Sequence, residues 1–402
     1  MIRFLPRLKK IYRPEARVFR FLAVLTISGV AYGLYKGVLD NYLAEIVRFP
    51  PFGRGVVEFF RELPGFLVVF VLAALYRFSE ARIFKIGIAL MALGVGGLLL
   101  SAPAQINVLA ILVVFSFGEH LNLPLKSTIS LELANRETGG AALGVTGAIG
   151  QAGNIAGFVL ASLVFMVFSR LGFSRGSMVS FKAVYLIALC LMGAAFAVSL
   201  GMGESAAQGP RRRLYFDKKF TKYYMLEVFY GARKQVFLTF APYVLILQYG
   251  ADASVISLLY AVSAGVCTVF SAVTGRIIDR VGYKFVMVTD TLLLVAVCFF
   301  YGFSHRIFQP RTAFVIVCAN YVLDAVISLA SMASNVYVKD IASSPEEVTA
   351  TLYTGTSVNH VISIFIALMG GWIWKVTGIE LLFSISAFLG VMNSIYAATI
   401  SR

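Results

Sequence analysis

Carboxylates and histidines lie inside stretches of sequence that are otherwise apolar. Glu119 and Asp324 each fall within such a stretch, and His120 directly follows Glu119. A carboxylate removed from water holds its proton more tightly and histidine titrates near neutral pH, so these groups could load and release a proton. We therefore predict proton-coupling roles for Glu119, His120 and Asp324, or, alternatively, structural pairing of the carboxylates with cations. His360 is predicted to be a neutral group that hydrogen-bonds between helices.

Cationic side chains occur in the same apolar setting. Lys36 lies in the first long apolar run, and Arg233 and Lys234 are adjacent in a later one. A charge deep in a membrane is costly unless it faces a cavity or a partner. Cations that face a cavity would favour an anionic or strongly polar solute. Internal pairing explains them equally well, because Asp40 lies one helical turn from Lys36 and can neutralise it.

The elements that must position these side chains are membrane-spanning helices. Of the 402 residues, 59% are hydrophobic and only 14% are charged. A helix needs about 20 apolar residues to cross a bilayer, where its backbone groups must be paired internally. We therefore predict an all-α polytopic membrane protein with twelve transmembrane helices, near residues 18–44, 55–77, 82–102, 106–130, 141–168, 179–202, 221–248, 254–275, 285–304, 312–337, 349–374 and 379–400.

The net charge of +15 is arranged to orient the chain in a membrane. Most Lys and Arg residues lie in the N-terminal segment and in the loops on the same side of the predicted bundle. This bias predicts an inner-membrane protein with both termini in the cytoplasm, in contact with the lipid bilayer. The charge therefore does not indicate a nucleic-acid partner. The basic stretches PRLKKIYRPEAR and RRRLYFDKKFTK could hold anionic lipid headgroups.

A polar stretch near the midpoint divides the chain into two related halves. It predicts an N-terminal six-helix bundle (1–202), a cytoplasmic linker (203–220) and a C-terminal six-helix bundle (221–402). YGLYKGV (32–38) matches YGARKQV (230–236), and RFSEARIFK (77–85) aligns with RIIDRVGYK (276–284). Such internal repeats are typical of transporters built from two bundles. Glycine and alanine recur every three or four residues over 139–157, a spacing that allows close helix contact.

The stretch GRIIDRVGYK, between the eighth and ninth predicted helices, resembles the cytoplasmic signature loop of the major facilitator superfamily. The copy between the second and third helices, YRFSEARIFK, has lost both glycines. The resemblance implies twelve helices in two pseudosymmetric bundles, alternating access, and a central cavity lined by helices 1, 4, 7 and 10. On that basis the candidate substrate-binding residues are Lys36, Asp40, Asn122, Arg233, Lys234 and Asn320.

The resemblance also implies a polar gating loop. We expect Gly275 to allow close helix approach, Gly282 to permit a tight turn, and Asp279 to bind a helix N-terminus or an arginine. The full set of candidate gating residues is Gly275, Asp279, Arg280, Gly282 and Lys284, with Arg77 and Glu80 in the other half. The alternative is a solvated loop whose basic residues only fix the orientation of the chain.

These features predict a secondary active transporter that couples protons to an organic anion or polar metabolite. An exporter of amphipathic drugs or lipid-like molecules is the nearest alternative, and a transporter-like scaffold or sensor is a further one. The sequence contains no histidine-rich metal cluster, no nucleophile elbow and no phosphate-binding GxxxxGK[ST] loop. We therefore expect a non-enzyme that works as a monomer, without a cofactor or metal, on a small-molecule substrate.

Overall fold

The computed structural model describes residues 4–75, 77–135, 137–174, 176–203 and 215–400. Residues 204–214 of the predicted linker lie outside this part. The helices are α1 (Phe4–Ile11), α2 (Ala16–Asn41), α3 (Pro51–Ala74), α4 (Glu80–Leu100), α5 (Gln105–Leu133), α6 (Gly139–Arg170), α7 (Met178–Leu200), α8 (Thr221–Tyr249), α9 (Ala253–Val281), α10 (Tyr283–Ile307), α11 (Pro310–Ile327), α12 (Met332–Ile341), α13 (Pro345–Thr377) and α14 (Ile379–Ala398). Across the described ranges there is no β-strand.

Each of the twelve predicted spans folds as a helix. A π-helical turn, Tyr42–Ile46, extends α2, and a 3₁₀ turn, Ser328–Ser331, joins α11 and α12 into a single span. Among the described residues, ten helices have the length and apolar composition that crossing a membrane requires. The other two long helices, α3 and α8, carry groups of ionisable residues, which are costly in a bilayer unless partnered. The chain is thus an all-α integral membrane protein.

The contacts divide the chain into two units that nearly follow its two halves. Unit 1 comprises residues 1–47, 67–211 and 253–261, and unit 2 comprises 48–66, 212–252 and 262–402. The first part of α3 therefore groups with helices of the second half, and the start of α9 groups with helices of the first half. The predicted bundles 1–202 and 221–402 differ from this division in those two segments.

Unit 1 is organised around a close contact between α2 and α6. A Cβ atom at Gly153 would lie 2.9 Å from the Thr26 carbonyl oxygen, and a Cβ at Gly157 would collide with the Val30 backbone. Only glycine allows backbones to approach this closely, which confirms the predicted role of the small-residue spacing in this part of α6. The spacing has no such effect nearer the start of α6, where a Cβ at Gly147 would meet nothing within 4 Å.

Unit 2 packs α8 against α13 and α14, and α10 against α14 and α11. Its buried core includes Phe220, Tyr223, Met287 and Tyr337. The first part of α3 contacts α13 closely, since a Cβ on Gly371 would lie 2.9 Å from the carbonyl oxygen of Pro51. This packing places the inward-facing residues of α8 between α10, α11 and α13.

Candidate functional site

The Arg233 cluster (Arg233, Asp290 and Asp324) is a buried group of opposite charges within unit 2. The Arg233 side chain on α8 is only 4% exposed. Its two terminal nitrogens lie 3.8 Å from Asp290 on α10 and 3.8 Å from Asp324 on α11. One of them also donates a 3.3 Å hydrogen bond to Ser328, in the 3₁₀ turn that follows α11. Three helices and a turn therefore converge on one guanidinium group.

The spacing of these charges leaves both carboxylates weakly paired. Charge-assisted hydrogen bonds between arginine and carboxylate are typically about 2.7–2.9 Å long, and both separations here are longer. One Asp324 oxygen accepts no hydrogen bond from the described residues. One cation also faces two carboxylates, so the cluster has an excess negative charge when both are ionised. Such a site favours a proton or a positively charged group.

Glu227, nearly two turns before Arg233 on α8, extends the polar surface. Its carboxylate accepts hydrogen bonds from the Asn359 amide at 3.1 Å and the Ser334 hydroxyl at 3.4 Å, and it interacts electrostatically with Lys234. Glu227 and Asp290 line the same small cavity, which has room for about one water molecule. Tyr230 also lines it. The Arg233 cluster thus continues into a polar pocket.

The Lys36 cluster (Lys36, Asp40 and Tyr260) is a separate ion pair within unit 1. The Lys36 ammonium group lies 3.0 Å from the Asp40 carboxylate, one helical turn further along α2. The Tyr260 hydroxyl donates a 2.6 Å hydrogen bond to the same carboxylate oxygen, and its ring lies beneath the Lys36 ammonium. Asp40 is completely buried. Lys36 therefore has the internal partner that the sequence offered as the alternative to substrate binding.

The candidate residues of α5, which is the fourth predicted span, have partners close by in the sequence or on the neighbouring helix. His120 is buried, and its Nδ1 lies 2.8 Å from the Ser116 carbonyl oxygen, so Nδ1 carries the proton. Glu119 is half-buried and interacts electrostatically with Lys126. Asn122 is 1% exposed and fills the space beside Gly87 on α4. Asn122 thus packs between α5 and α4, and its substrate-binding role stays a prediction.

Asn320 and Asp324 lie on the same helix but differ in their surroundings. The Asn320 amide donates a 2.8 Å hydrogen bond to the Ile316 carbonyl oxygen of its own helix. Asp324 faces Arg233. The structure therefore brings together a predicted substrate-binding residue, Arg233, and a predicted proton-coupling residue, Asp324. Lys234 follows Arg233 on α8 and is half-buried.

The predicted gating stretch, GRIIDRVGYK, is mostly the end of a helix and not a loop. Asp279 and Arg280 lie in the last turn of α9 and are exposed. Gly282 has φ 87° and joins α9 to α10, as expected of a tight turn. The expected close approach at Gly275 is wrong, because a Cβ there would meet nothing within 4 Å. Lys284 is half-buried at the start of α10.

The copy of this stretch that lacks both glycines, YRFSEARIFK, has the more deeply buried carboxylate. Glu80 is 3% exposed and begins α4 directly after the N-cap Ser79, whose side chain accepts a hydrogen bond from the Arg82 backbone. A carboxylate in the first turn of a helix interacts favourably with the helix dipole. Arg77 is exposed. Loss of the two glycines has therefore not removed the buried carboxylate from this copy.

A further buried ionic group lies in the first part of α3. Glu58 pairs with the fully buried Arg54 at 2.6 Å and with Arg61 at 3.0 Å. Next to it, Glu62 lies 2.7 Å from Nδ1 of His360 on α13. His360 thus bonds between helices, as predicted.

Several residues of these clusters were not identified from the sequence. Asp290 is a carboxylate at the sixth residue of the predicted span 285–304, which is the same signal that identified Asp324. Tyr260 and Asn359 gave no signal, because uncharged polar residues are common in membrane helices. Their roles depend on which helix faces which, and the sequence does not give that information.

The chain is similar over nearly its whole length to solved transporter structures. The nucleoside transporter NupG matches with a TM-score of 0.74 at 13% identity, covering 95% of this chain and 98% of that chain. A D-xylose-proton symporter matches with a TM-score of 0.72 at 14% identity, covering 96% and 98%. The human organic anion transporter MFSD10 matches with a TM-score of 0.59 at 13% identity, covering 96% and 99%. No protein-family profile and no curated protein sequence matches the chain.

These likenesses define the class of fold. The chain has the fold of the major facilitator transporters, which confirms the architecture implied by the GRIIDRVGYK stretch. At these identities the likeness concerns the fold, so the function is argued from the chain's own residues.

Proposed function

We propose that this chain is a proton-coupled secondary transporter that moves a polar organic solute across the cytoplasmic membrane by alternating access, with both termini in the cytoplasm. The observation that supports this most strongly is the position of Arg233, 3.8 Å from both Asp290 and Asp324 in the interior of unit 2. A transporter fold and a buried cluster with one excess negative charge together favour coupling to protons.

The coupling follows from the charge balance of the cluster. With both carboxylates ionised, one negative charge is left without a full partner in surroundings that solvate it poorly. Protonation of one carboxylate removes this excess and leaves a single ion pair. The cluster can thus exist in two states that differ by one proton, and a solute that contacts Arg233 would favour one of them. Asp324 and Asp290 are the proposed proton carriers, with Arg233 as the counter-charge.

The same geometry limits the charge that the transported solute is expected to have. The sequence alone favoured an organic anion because Lys36 and Arg233 could have faced the solute as unpaired cations. Both have carboxylate partners in the structure, so we propose a polar solute without a net negative charge. Hydrogen-bond donors and acceptors beside the Arg233 cluster are supplied by Lys234, Glu227 and Asn359. These three side chains are the proposed solute-binding groups. Lys36 and Asp40 are assigned to structure instead.

The test is a transport screen with purified protein in proteoliposomes. Nucleosides, sugars, zwitterionic amino acids, organic anions and amphipathic cations are offered with and without an imposed pH gradient. We expect uptake of a polar, non-anionic solute that the gradient increases, and loss of that increase in at least one of Asp290→Asn and Asp324→Asn. Asp340→Asn, which changes an exposed carboxylate of the same unit, is the matched control. Gradient-dependent uptake of anions alone, or transport of amphipathic cations alone, would contradict the proposal.

A further inference from the structure

The segment before the first spanning helix is bound into unit 1 by its backbone. In this N-terminal arm, residues 4–15, the Arg13 amide donates to the Leu133 carbonyl oxygen at 3.0 Å, and the Asn135 amide donates to that of Ile11 at 2.9 Å. The Thr138 hydroxyl also donates to the Ile11 carbonyl oxygen, at 2.6 Å. The arm is therefore paired with the connection between α5 and α6.

Tyr12 is the centre of this attachment. Its side chain is 1% exposed, and its hydroxyl donates a 2.8 Å hydrogen bond to the Ala142 carbonyl oxygen on α6. The same hydroxyl lies 3.2 Å from the Ser130 hydroxyl on α5 and 3.2 Å from the Thr146 hydroxyl on α6. One phenol group thus joins the end of α5 to the beginning of α6.

The part of α6 that Tyr12 contacts is otherwise loosely packed. Within residues 139–150 only Ala142 and Thr146 are buried, and these are the two α6 residues that the Tyr12 hydroxyl contacts. A Cβ at Gly144, Gly147 or Gly150 would meet nothing within 4 Å. Glycines in a helix interior make it easier to bend.

The second part of α6 is held very differently. From Gly150 onwards its backbone lies close to α2: a Cβ at Gly29 would lie 3.0 Å from the Gly150 carbonyl oxygen, and a Cβ at Gly153 would lie 2.9 Å from the Thr26 carbonyl oxygen. A single helix therefore has one firmly packed part and one loosely packed part, separated by glycines. Bending in such a helix is expected at the boundary, near Gly147 and Gly150.

Unit 2 contains a comparable attachment built from different atoms. The Tyr215 hydroxyl, directly before the seventh spanning helix, donates a 2.8 Å hydrogen bond to Glu347 at the start of α13. Lys219 also reaches Glu347, at 2.7 Å. The hydrogen bond to Glu347 raises the pKa of Tyr215 to about 12. In each unit a tyrosine that precedes the first spanning helix of that half binds near the connection between its fourth and fifth spanning helices.

We infer that the N-terminal arm is a latch: the Tyr12 hydroxyl holds residues 139–150 of α6 against α5, and its release lets this segment bend at Gly147 and Gly150. The latch is a property of unit 1 and is tested without any transported solute. Only its use during a transport cycle rests on the proposed function, so failure of that function would leave the latch unaffected.

The test is hydrogen–deuterium exchange of the full chain in lipid nanodiscs. Tyr12→Phe removes the hydroxyl and keeps the ring, so amides of residues 139–150 should exchange about fivefold faster, the effect of one typical hydrogen bond. Residues 153–170 should be unchanged. Tyr185→Phe is the matched control, because Tyr185 is fully buried and its hydroxyl has no hydrogen-bond partner in the described part of the chain.

A second set of variants keeps the inference testable if Tyr12→Phe does not fold. Thr146→Val removes one hydroxyl partner and should accelerate exchange over the same residues. Gly147→Ala with Gly150→Ala should reduce that acceleration at least threefold if bending occurs there. Unchanged exchange over 139–150 in the folded hydroxyl variants, or equal acceleration along the whole of α6, would overturn the latch.

Discussion

The hydroxyl of Tyr260 donates a 2.6 Å hydrogen bond to the completely buried carboxylate of Asp40. Both residues belong to unit 1, although Tyr260 lies in the second half of the sequence. A buried carboxylate with two partners is stabilised as an anion, and Lys36 supplies the second partner at 3.0 Å. This relationship is the reason for assigning Lys36 to structure.

Tyr260→Phe should therefore destabilise the protein. A hydrogen bond to a charged group contributes about 1.5–3 kcal/mol, and we expect the free energy of unfolding in detergent to fall by a similar amount. Denaturant unfolding followed by fluorescence measures it. Tyr185→Phe, which removes a buried hydroxyl that has no described hydrogen-bond partner, should cost much less. Equal losses in the two variants would show that the Asp40 contact contributes nothing.

Arg233→Gln should be more damaging, and a second substitution should repair it. Removing one partner of a buried ion pair typically costs about 3–5 kcal/mol, because the remaining charge is left uncompensated. Here two carboxylates would be left. Adding Asp324→Asn removes one of these charges and should restore part of the lost thermal stability. A double variant no more stable than Arg233→Gln alone would contradict the pairing.

The two glycine environments of α6 predict opposite effects of alanine. Gly157→Ala forces a methyl group into the backbone of α2, and overpacking of this kind costs about 1–3 kcal/mol. Gly147→Ala meets no atom and should instead stabilise the helix by about 0.5–1 kcal/mol. The shift in melting temperature of each purified variant tests the contrast. A loss of stability in Gly147→Ala equal to that in Gly157→Ala would be evidence against it.

The glycines of the GRIIDRVGYK stretch should also differ. Gly282 has φ 87° and ψ 151°, a conformation almost restricted to glycine, so Gly282→Ala should cost about 1–3 kcal/mol. Gly275 lies within α9 with free space around it, and Gly275→Ala should be neutral or stabilising. Thermal unfolding of the two variants, measured side by side, provides the check. A larger loss for Gly275→Ala would mean that this glycine has a contact partner after all.

Much of the architecture could be predicted because a membrane imposes it. Apolar runs of spanning length must become helices in lipid, and ten helices in the described part of the chain have the length and apolar composition of such spans. The GRIIDRVGYK stretch and the internal repeat then indicated the fold that the solved structures share. The close contact of α2 with α6 could also be predicted in part, because glycine at regular spacing has few other uses in a helix.

The site was predicted less well because its geometry depends on how helices are rotated against one another. Asn122 and Glu119 lie close together on α5, yet one packs against Gly87 and the other interacts with Lys126. Lys36 had a partner one turn away that could be read from the sequence, whereas Tyr260 is more than two hundred residues distant. The proposed kind of solute depends on which cations are paired, and the pairing of Arg233 with Asp290 and Asp324 is a tertiary contact that the sequence does not give.

The most direct test of the central claim compares two transport modes in the same variants. With the solute identified by the screen, Asp290→Asn and Asp324→Asn are assayed in proteoliposomes for gradient-driven accumulation and for solute exchange without a gradient. Asparagine resembles the protonated carboxylate, so at least one variant should lose accumulation and keep exchange. Full accumulation in both variants would show that neither carboxylate carries the coupled proton, and would contradict the account.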